Sequence, residues 1–292
     1  MRSGSETSSV GAVPSLPLAS GELDAADARE LEMLRELLEQ RFGFFGAGYK
    51  EKCFRRRLAV RMRARGVQRY AEYAAVLRED PQEYERFLAA VMINVSKFFR
   101  NPEVWEAIRE HVIPALFDLD VPVVRIWSAG CAAGEEPYSL AMLLLEHAEA
   151  HGRMARLQRF RIRATDIDKE ALDAARRAEY GDLAVGEVPE PVRERWFEPG
   201  RPYRPREEVK RLVRFEEADV ITDRPAWPQH LIICRNVIIY FERALQESLF
   251  ERFYEALAPG GFLVLGKVET LCGPAARLFQ PVANRERVYR RL

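Results

Sequence analysis

Leucines at positions 31, 34, 37 and 38, with arginine and glutamate between them, have the spacing of a helix with one apolar face. A glycine-rich break at 43–48 follows, and then a second helix is predicted over 49–65. On it Phe54, Leu58 and Met62 recur every four residues and should face a core. Two more helical stretches, 70–77 and 81–92, complete an all-helical N-terminal domain over 24–93. Residues 1–23 carry no such period and include Pro14 and Pro17, which predicts a disordered tail.

Beyond position 120 the pattern changes. Val124, Ile126 and Trp127 form a short apolar run without helical spacing, as in a buried parallel strand. A turn of small residues, 130–134, leads into Glu135-Glu136-Pro137 and a helix that is apolar almost all round. Further strands are predicted at 160–164, 212–215, 230–234 and 262–265, with helices at 169–177 and 241–257, the latter stopped by Pro259-Gly260-Gly261. Two β-like pieces around Phe279 and Val288 end the chain, and alternating strands and helices of this kind predict a parallel α/β sheet. Residues 180–211 are polar and proline-rich and read as a small β insertion. The expected architecture is therefore a Rossmann-like α/β domain over 94–292, preceded by the helical domain.

Charge and cysteine content narrow the classes. Lys+Arg and Asp+Glu both number 45, so no partner is implied by net charge and any electrostatic partner must meet a local patch. Helix 49–65 supplies one, with Lys50, Lys52, Arg55, Arg56, Arg57, Arg61, Arg63 and Arg65 against a single acid, Glu51. That face suits either solvent or an acidic partner. The four cysteines are scattered without a CxxC, which points away from zinc and disulfides and towards a reducing cytoplasm. His147 and His151 lie four apart, but HAEAH is not a metalloprotease signature, and no metal is expected.

The strand–turn–helix at 124–139, VRIWSAGCAAGEEPYS, is half of a nucleotide-binding unit whose helix amides face a ligand over the turn. Its turn is not GxGxxG, and the acidic pair at the helix start would repel a pyrophosphate. A cationic ligand with an adenosine part fits better, and S-adenosylmethionine is such a ligand. Asp166, at the end of the second strand, stands where Rossmann-like sites grip a ribose, while Asp168 caps the helix that follows. Arg100, next to Phe98 and Phe99, would carry its charge in a partly desolvated setting lined by those rings. No serine or cysteine is paired with a histidine as a nucleophile.

In their order and spacing, NVSKFFR, WSAGCAAGEEPYS, TDID, CRNVIIYF and APGGFLVLG resemble the CheR-type chemotaxis receptor methyltransferases. The resemblance covers the chain from about position 30 to the C-terminus. It implies methyl transfer from S-adenosyl-L-methionine to glutamate side chains of the cytoplasmic helical domain of chemoreceptors, giving methyl esters and S-adenosyl-L-homocysteine. It further implies that Asn94, Ser96 and Arg100 close over the cofactor, Arg100 near the reacting carboxylate. Glu136 would meet the methionine ammonium, Asp166 the ribose, Asp219 and Val220 the adenine, and Arg235 and Asn236 the other polar edges. Tyr240 would flank the transferred methyl, and Arg57, Arg61 and Arg63 would dock the receptor. A cytoplasmic monomer, without nucleic-acid partner or membrane insertion, goes with this family. Ser96 stands where threonine is common, and the insertion is short for members that clamp a receptor's C-terminal pentapeptide. Two other readings stay open on the residues: the same fold acting on RNA through the basic helix, and a cofactor-binding scaffold without turnover. The Asn/Asp-Pro-Pro-Tyr/Phe signature expected of an amide N-methyltransferase is absent at 235–240.

Overall fold

The computed structural model describes residues 23–92 and 96–292. Four helices form the N-terminal domain: α1 (Ala25–Phe42), α2 (Glu51–Ala64), α3 (Tyr70–Glu79) and α4 (Pro81–Val91). Asp24 caps α1 by accepting from the Ala26 and Asp27 amides, and Gly43 ends it in a left-handed conformation that costs glycine little. Phe54, Leu58 and Met62 of α2 are fully buried, as their spacing predicts. With Leu31, Leu34 and Phe87 they form an apolar cluster that continues into Trp127, Ile232 and Leu263 of the larger domain. The two domains thus share a core.

A connection through α5 (Pro102–Ala107), a π-helical turn (Ile108–Val112) and α6 (Ile113–Asp118) leads to the sheet. The sheet strands are β1 (Val124–Ala129), β2 (Phe160–Asp166), β3 (Val213–Glu217), β4 (Gln229–Cys234), β5 (Leu257–Leu265), β6 (Phe279–Ala283) and β7 (Val288–Arg291). Their order is β3-β2-β1-β4-β5-β7-β6. The first five run parallel, and β7 pairs antiparallel with both β5 and β6. Both sheet faces are covered, which explains why β1 and β4 read as largely apolar runs. Strand order reverses between β1 and β4, so the crevice for a ligand opens at their carboxyl ends.

Between the strands lie α7 (Glu135–Ala150), α8 (Met154–Leu157), α9 (Lys169–Arg177), α10 (Asp182–Val185), α11 (Glu190–Trp196), α12 (Glu207–Lys210) and α13 (Arg243–Ala256). The small β insertion expected over 180–211 needs correction. Short helices α10, α11 and α12 occupy it, joined by two isolated bridges, Tyr180 to Tyr203 and Phe197 to Pro205. Proline cannot donate to a strand ladder, and eight prolines or glycines interrupt 181–205. The helix expected over 241–257 runs from Arg243 to Ala256, and Pro259-Gly260-Gly261, expected as its stop, lie within β5.

Candidate active site

The carboxyl ends of β1, β2 and β4 and the loop after β3 line a cleft that opens to solvent, at the place where open α/β sheets bind ligands. It brings together Ser96, Arg100, Glu136, Asp166, Asp219, Val220, Arg235, Asn236 and Tyr240, residues that lie up to 144 positions apart in the sequence. Asn94 falls outside the described residues.

The cleft floor is acidic. After β1, Gly130 adopts φ +77°, and a Cβ there would lie 2.4 Å from Val237 Cγ2, so only glycine permits this turn. The turn delivers the Ala132 amide to Asp166 Oδ2 at 2.8 Å, while the Asp168 amide donates to Oδ1 at 2.9 Å. Burial outweighs these bonds and pushes the Asp166 carboxyl up to about 6. Glu136, in the first turn of α7, accepts from Ser128 Oγ at 2.9 Å and lies 3.6 Å from the Arg235 guanidinium. Burial raises its carboxyl too, against the Arg235 charge. The neighbouring Glu135 does not line the cleft; its Oε2 is buried without a hydrogen-bond partner, and burial pushes it up to about 7. Asp219, raised by burial, accepts from the Ile221 amide at 2.8 Å.

Arg235 is the buried centre of this floor, its side chain 2% exposed. It lies over the Trp105 ring, 5.4 Å from the centroid, and donates to the Arg100 carbonyl at 2.7 Å and to Asn101 Oδ1 at 3.3 Å. A sequence read one residue at a time gives no sign of this, because its partners come from two distant segments, 100–105 and the start of α7.

The mouth is basic. Tyr240 is half-buried, and although burial raises its hydroxyl, the charges of Arg57, Arg100 and Arg56 pull the other way. Tyr49 and Tyr240 border both the main cleft and a smaller cavity lined by Cys53, Arg56, Arg57 and Val91. The N-terminal domain therefore closes one wall of the site, a contribution that no sequence signal announces. Its attachment is specific: the Lys50 amide donates to the Tyr240 carbonyl at 2.8 Å, Lys50 Nζ to the Ile239 carbonyl at 2.9 Å, and the Glu242 amide to the Gly48 carbonyl at 2.7 Å.

Two expectations about individual residues change. Phe98 and Phe99 do not line the cleft. Phe98 packs edge-on against Tyr180 and Phe197, and Phe99 against Trp105, anchoring the segment that presents Arg100. Arg61 is not available for docking, because its guanidinium makes two 2.9 Å bonds to the fully buried Glu83 carboxylate, which also accepts from Tyr73. Arg63 is exposed and Arg57 half-buried. Among the described residues, no group of His, Cys, Asp and Glu could hold a metal ion and no helix is long and apolar enough to cross a membrane.

Two family models match the chain, "CheR methyltransferase, all-alpha domain" over residues 29–92 and "CheR methyltransferase, SAM binding domain" over 94–288. The chain belongs to the CheR methyltransferase family. Its cofactor is accordingly S-adenosyl-L-methionine, and the acidic floor of this CheR domain fits a ligand bearing an ammonium, a sulfonium and a ribose. A chemotaxis protein methyltransferase of Listeria monocytogenes is 33% identical over 78% of this chain and 84% of its own. One from Salmonella typhimurium is 31% identical over 80% and 81%. Among solved structures, a glycopeptide N-methyltransferase complexed with S-adenosyl-L-methionine has a TM-score of 0.35 and 15% identity over 61% of this chain and 57% of its own, a likeness too loose to carry a conclusion.

Proposed function

We propose that this CheR family enzyme methylates glutamate side chains in the cytoplasmic helical domain of chemoreceptors, forming methyl esters and S-adenosyl-L-homocysteine. The observation that carries this reading is the polarity of the cleft, acidic at its floor, with Arg100 in its lining and Arg56 and Arg57 in the adjoining cavity across Tyr240. A cation enters such a site from one side and an anion from the other.

The bound cofactor supplies a methyl group made electrophilic by its sulfonium. Glu136 holds the methionine ammonium, Asp166 accepts from the ribose hydroxyls, and Asp219 and Val220 border the adenine. Ser96 and Asn236 contact the remaining polar edges, with Asn94 assigned beside them from the sequence resemblance. Arg235 keeps Glu136 ionised and ties the Arg100 backbone to the cleft. A substrate carboxylate is already an anion at pH 7, so the chain needs no general base. What it must do is align that carboxylate and exclude water. Arg100 offers a planar fork for the carboxylate, and Tyr240 flanks the methyl.

Receptor docking falls to Arg56, Arg57 and Arg63, with Arg61 left to its structural bond with Glu83. The reading places a cytoplasmic monomer beside the receptor, with a domain boundary near 93, just after α4. Incubation with radiolabelled S-adenosyl-L-methionine and receptor-bearing membranes tests it. Label on protein, released as methanol in base, is the expected result; base-stable label would overturn it.

A further inference from the structure

Glu269 lies in the loop after β5, 3% exposed, and the functional reading leaves it unused. Its carboxylate accepts four backbone amides: Gly266 at 2.6 Å, Asn236 at 3.0 Å, Ile238 at 2.8 Å and Ile239 at 3.3 Å. Three of these come from the loop after β4 that carries Asn236, Val237 and Tyr240 into the cleft. Asn236 sits there at φ +61°, a left-handed conformation that asparagine adopts more readily than other non-glycine residues. The loop's carbonyl side is held by Lys50 of the N-terminal domain. Its amide side, pointing inward and shielded from water, would be left without acceptors but for Glu269.

We propose that Glu269 is a positioning residue for methyl transfer: its carboxylate gathers the amides of 236–239 and so sets Asn236 and Tyr240 against the cofactor. The inference rests on the assignment of the cleft as the cofactor site. A charged acceptor is suited to the task because each bond to it is stronger than a neutral one, and four share a single rigid anchor. Glutamine has one carbonyl oxygen in place of two, and its amide group would confront an N–H it cannot accept. Gly266 closes the clamp from behind, where an added Cβ would sit 2.6 Å from Glu269 Oε2 and 2.8 Å from the Asn236 amide.

The test uses the full chain and calorimetric titration with S-adenosyl-L-homocysteine, alongside single-turnover methylation, at a temperature where circular dichroism finds each variant folded. Glu269→Gln should weaken binding by about ten-fold or more and slow the single turnover at saturating cofactor. Combined with Asn236→Ala it should cost less than the sum of the two single changes, because both act through one contact. Gly266→Ala, which wedges the clamp and leaves its charge, should weaken binding in the same direction and serves if Glu269→Gln does not fold. Wild-type affinity and rate in the folded glutamine variant, wild-type affinity in Gly266→Ala, or strict additivity with Asn236→Ala would overturn the positioning role and leave the cofactor site standing. If the unaltered protein fails to bind S-adenosyl-L-homocysteine, the site assignment falls, and this inference with it.

Discussion

The floor and the mouth of the cleft are charged oppositely and built oppositely. At the floor, Glu136, Asp166 and Asp219 are buried and their carboxyls pushed up, held in place by backbone amides, Ser128 and Arg235. At the mouth, Arg56 is exposed and Arg57 and Arg100 are half-buried beside Tyr240. Buried charges are fixed, and they act on whatever is bound at short range with little screening. Exposed charges act over about 10 Å in 0.1 M salt and suit a partner that must arrive and leave. The difference matches the proposed chemistry, in which an anion and a sulfonium react to give neutral products. Water stabilises such separated charges more than it stabilises the partly neutralised transition state, so a dry junction between the two regions favours transfer.

The sharpest way to break the floor is Arg235→Met. The change strands Glu136 without its cation, along with the Arg100 carbonyl and Asn101 Oδ1. Removing one member of a buried pair costs about 3–5 kcal/mol, which urea unfolding would measure, and cofactor binding should go with it. A variant of unchanged stability would mean that the floor does not depend on this pair.

Asp166→Asn should act on binding with less effect on folding. Losing a charged acceptor is worth roughly 1.5–3 kcal/mol, or about ten- to a hundred-fold in the affinity for S-adenosyl-L-homocysteine. The pH dependence has a definite sign. Asp166 titrates near 6 when folded, against about 4 when unfolded, so its favourable share of stability is present below pH 4 and lost as pH rises through 6. Cofactor affinity should move the other way, strengthening as pH rises through about 6, with Glu136 and Asp219 shifted in the same direction. Calorimetry between pH 5 and 8 should find this limb shallower in Asp166→Asn; an identical limb would remove Asp166 from the floor.

The smallest effect is expected at the mouth. Arg57→Ala with Arg63→Ala should lower receptor methylation and its salt sensitivity while sparing cofactor affinity, exposed charges being worth up to about 1 kcal/mol each. Arg61→Ala is the contrasting control. It leaves Glu83 buried, with Arg65 and Arg86 no nearer than 3.8 Å, and should destabilise the chain by about 3 kcal/mol in urea unfolding. Loss of receptor methylation by the control, at full stability, would move Arg61 back to the docking surface.

Much of this protein is legible along the chain because its physics is local. Leu31, Leu34 and Leu38 mark a helix face, Asp168 caps α9, and the turn at 130–134 joins β1 to α7, all through neighbours a few residues away. Residue types at strand ends also signal their location, which is how Asp166 and Asn236 could be placed at one cleft before any coordinates. In the insertion, short helices α10, α11 and α12 stand where strands were expected, because its prolines and glycines break any ladder beyond an isolated bridge. Three decisions belong to the tertiary structure alone. Arg61 turned inward because Glu83, on another helix, needed a cation where water could not reach. Arg235 became the hub of the floor because the 100–105 segment and the start of α7 converge on it. Glu269, unremarkable in its own loop, found four amides because β5 ends beside β4. A buried charge is stable only with partners, and the chain order does not say which distant residues will surround it.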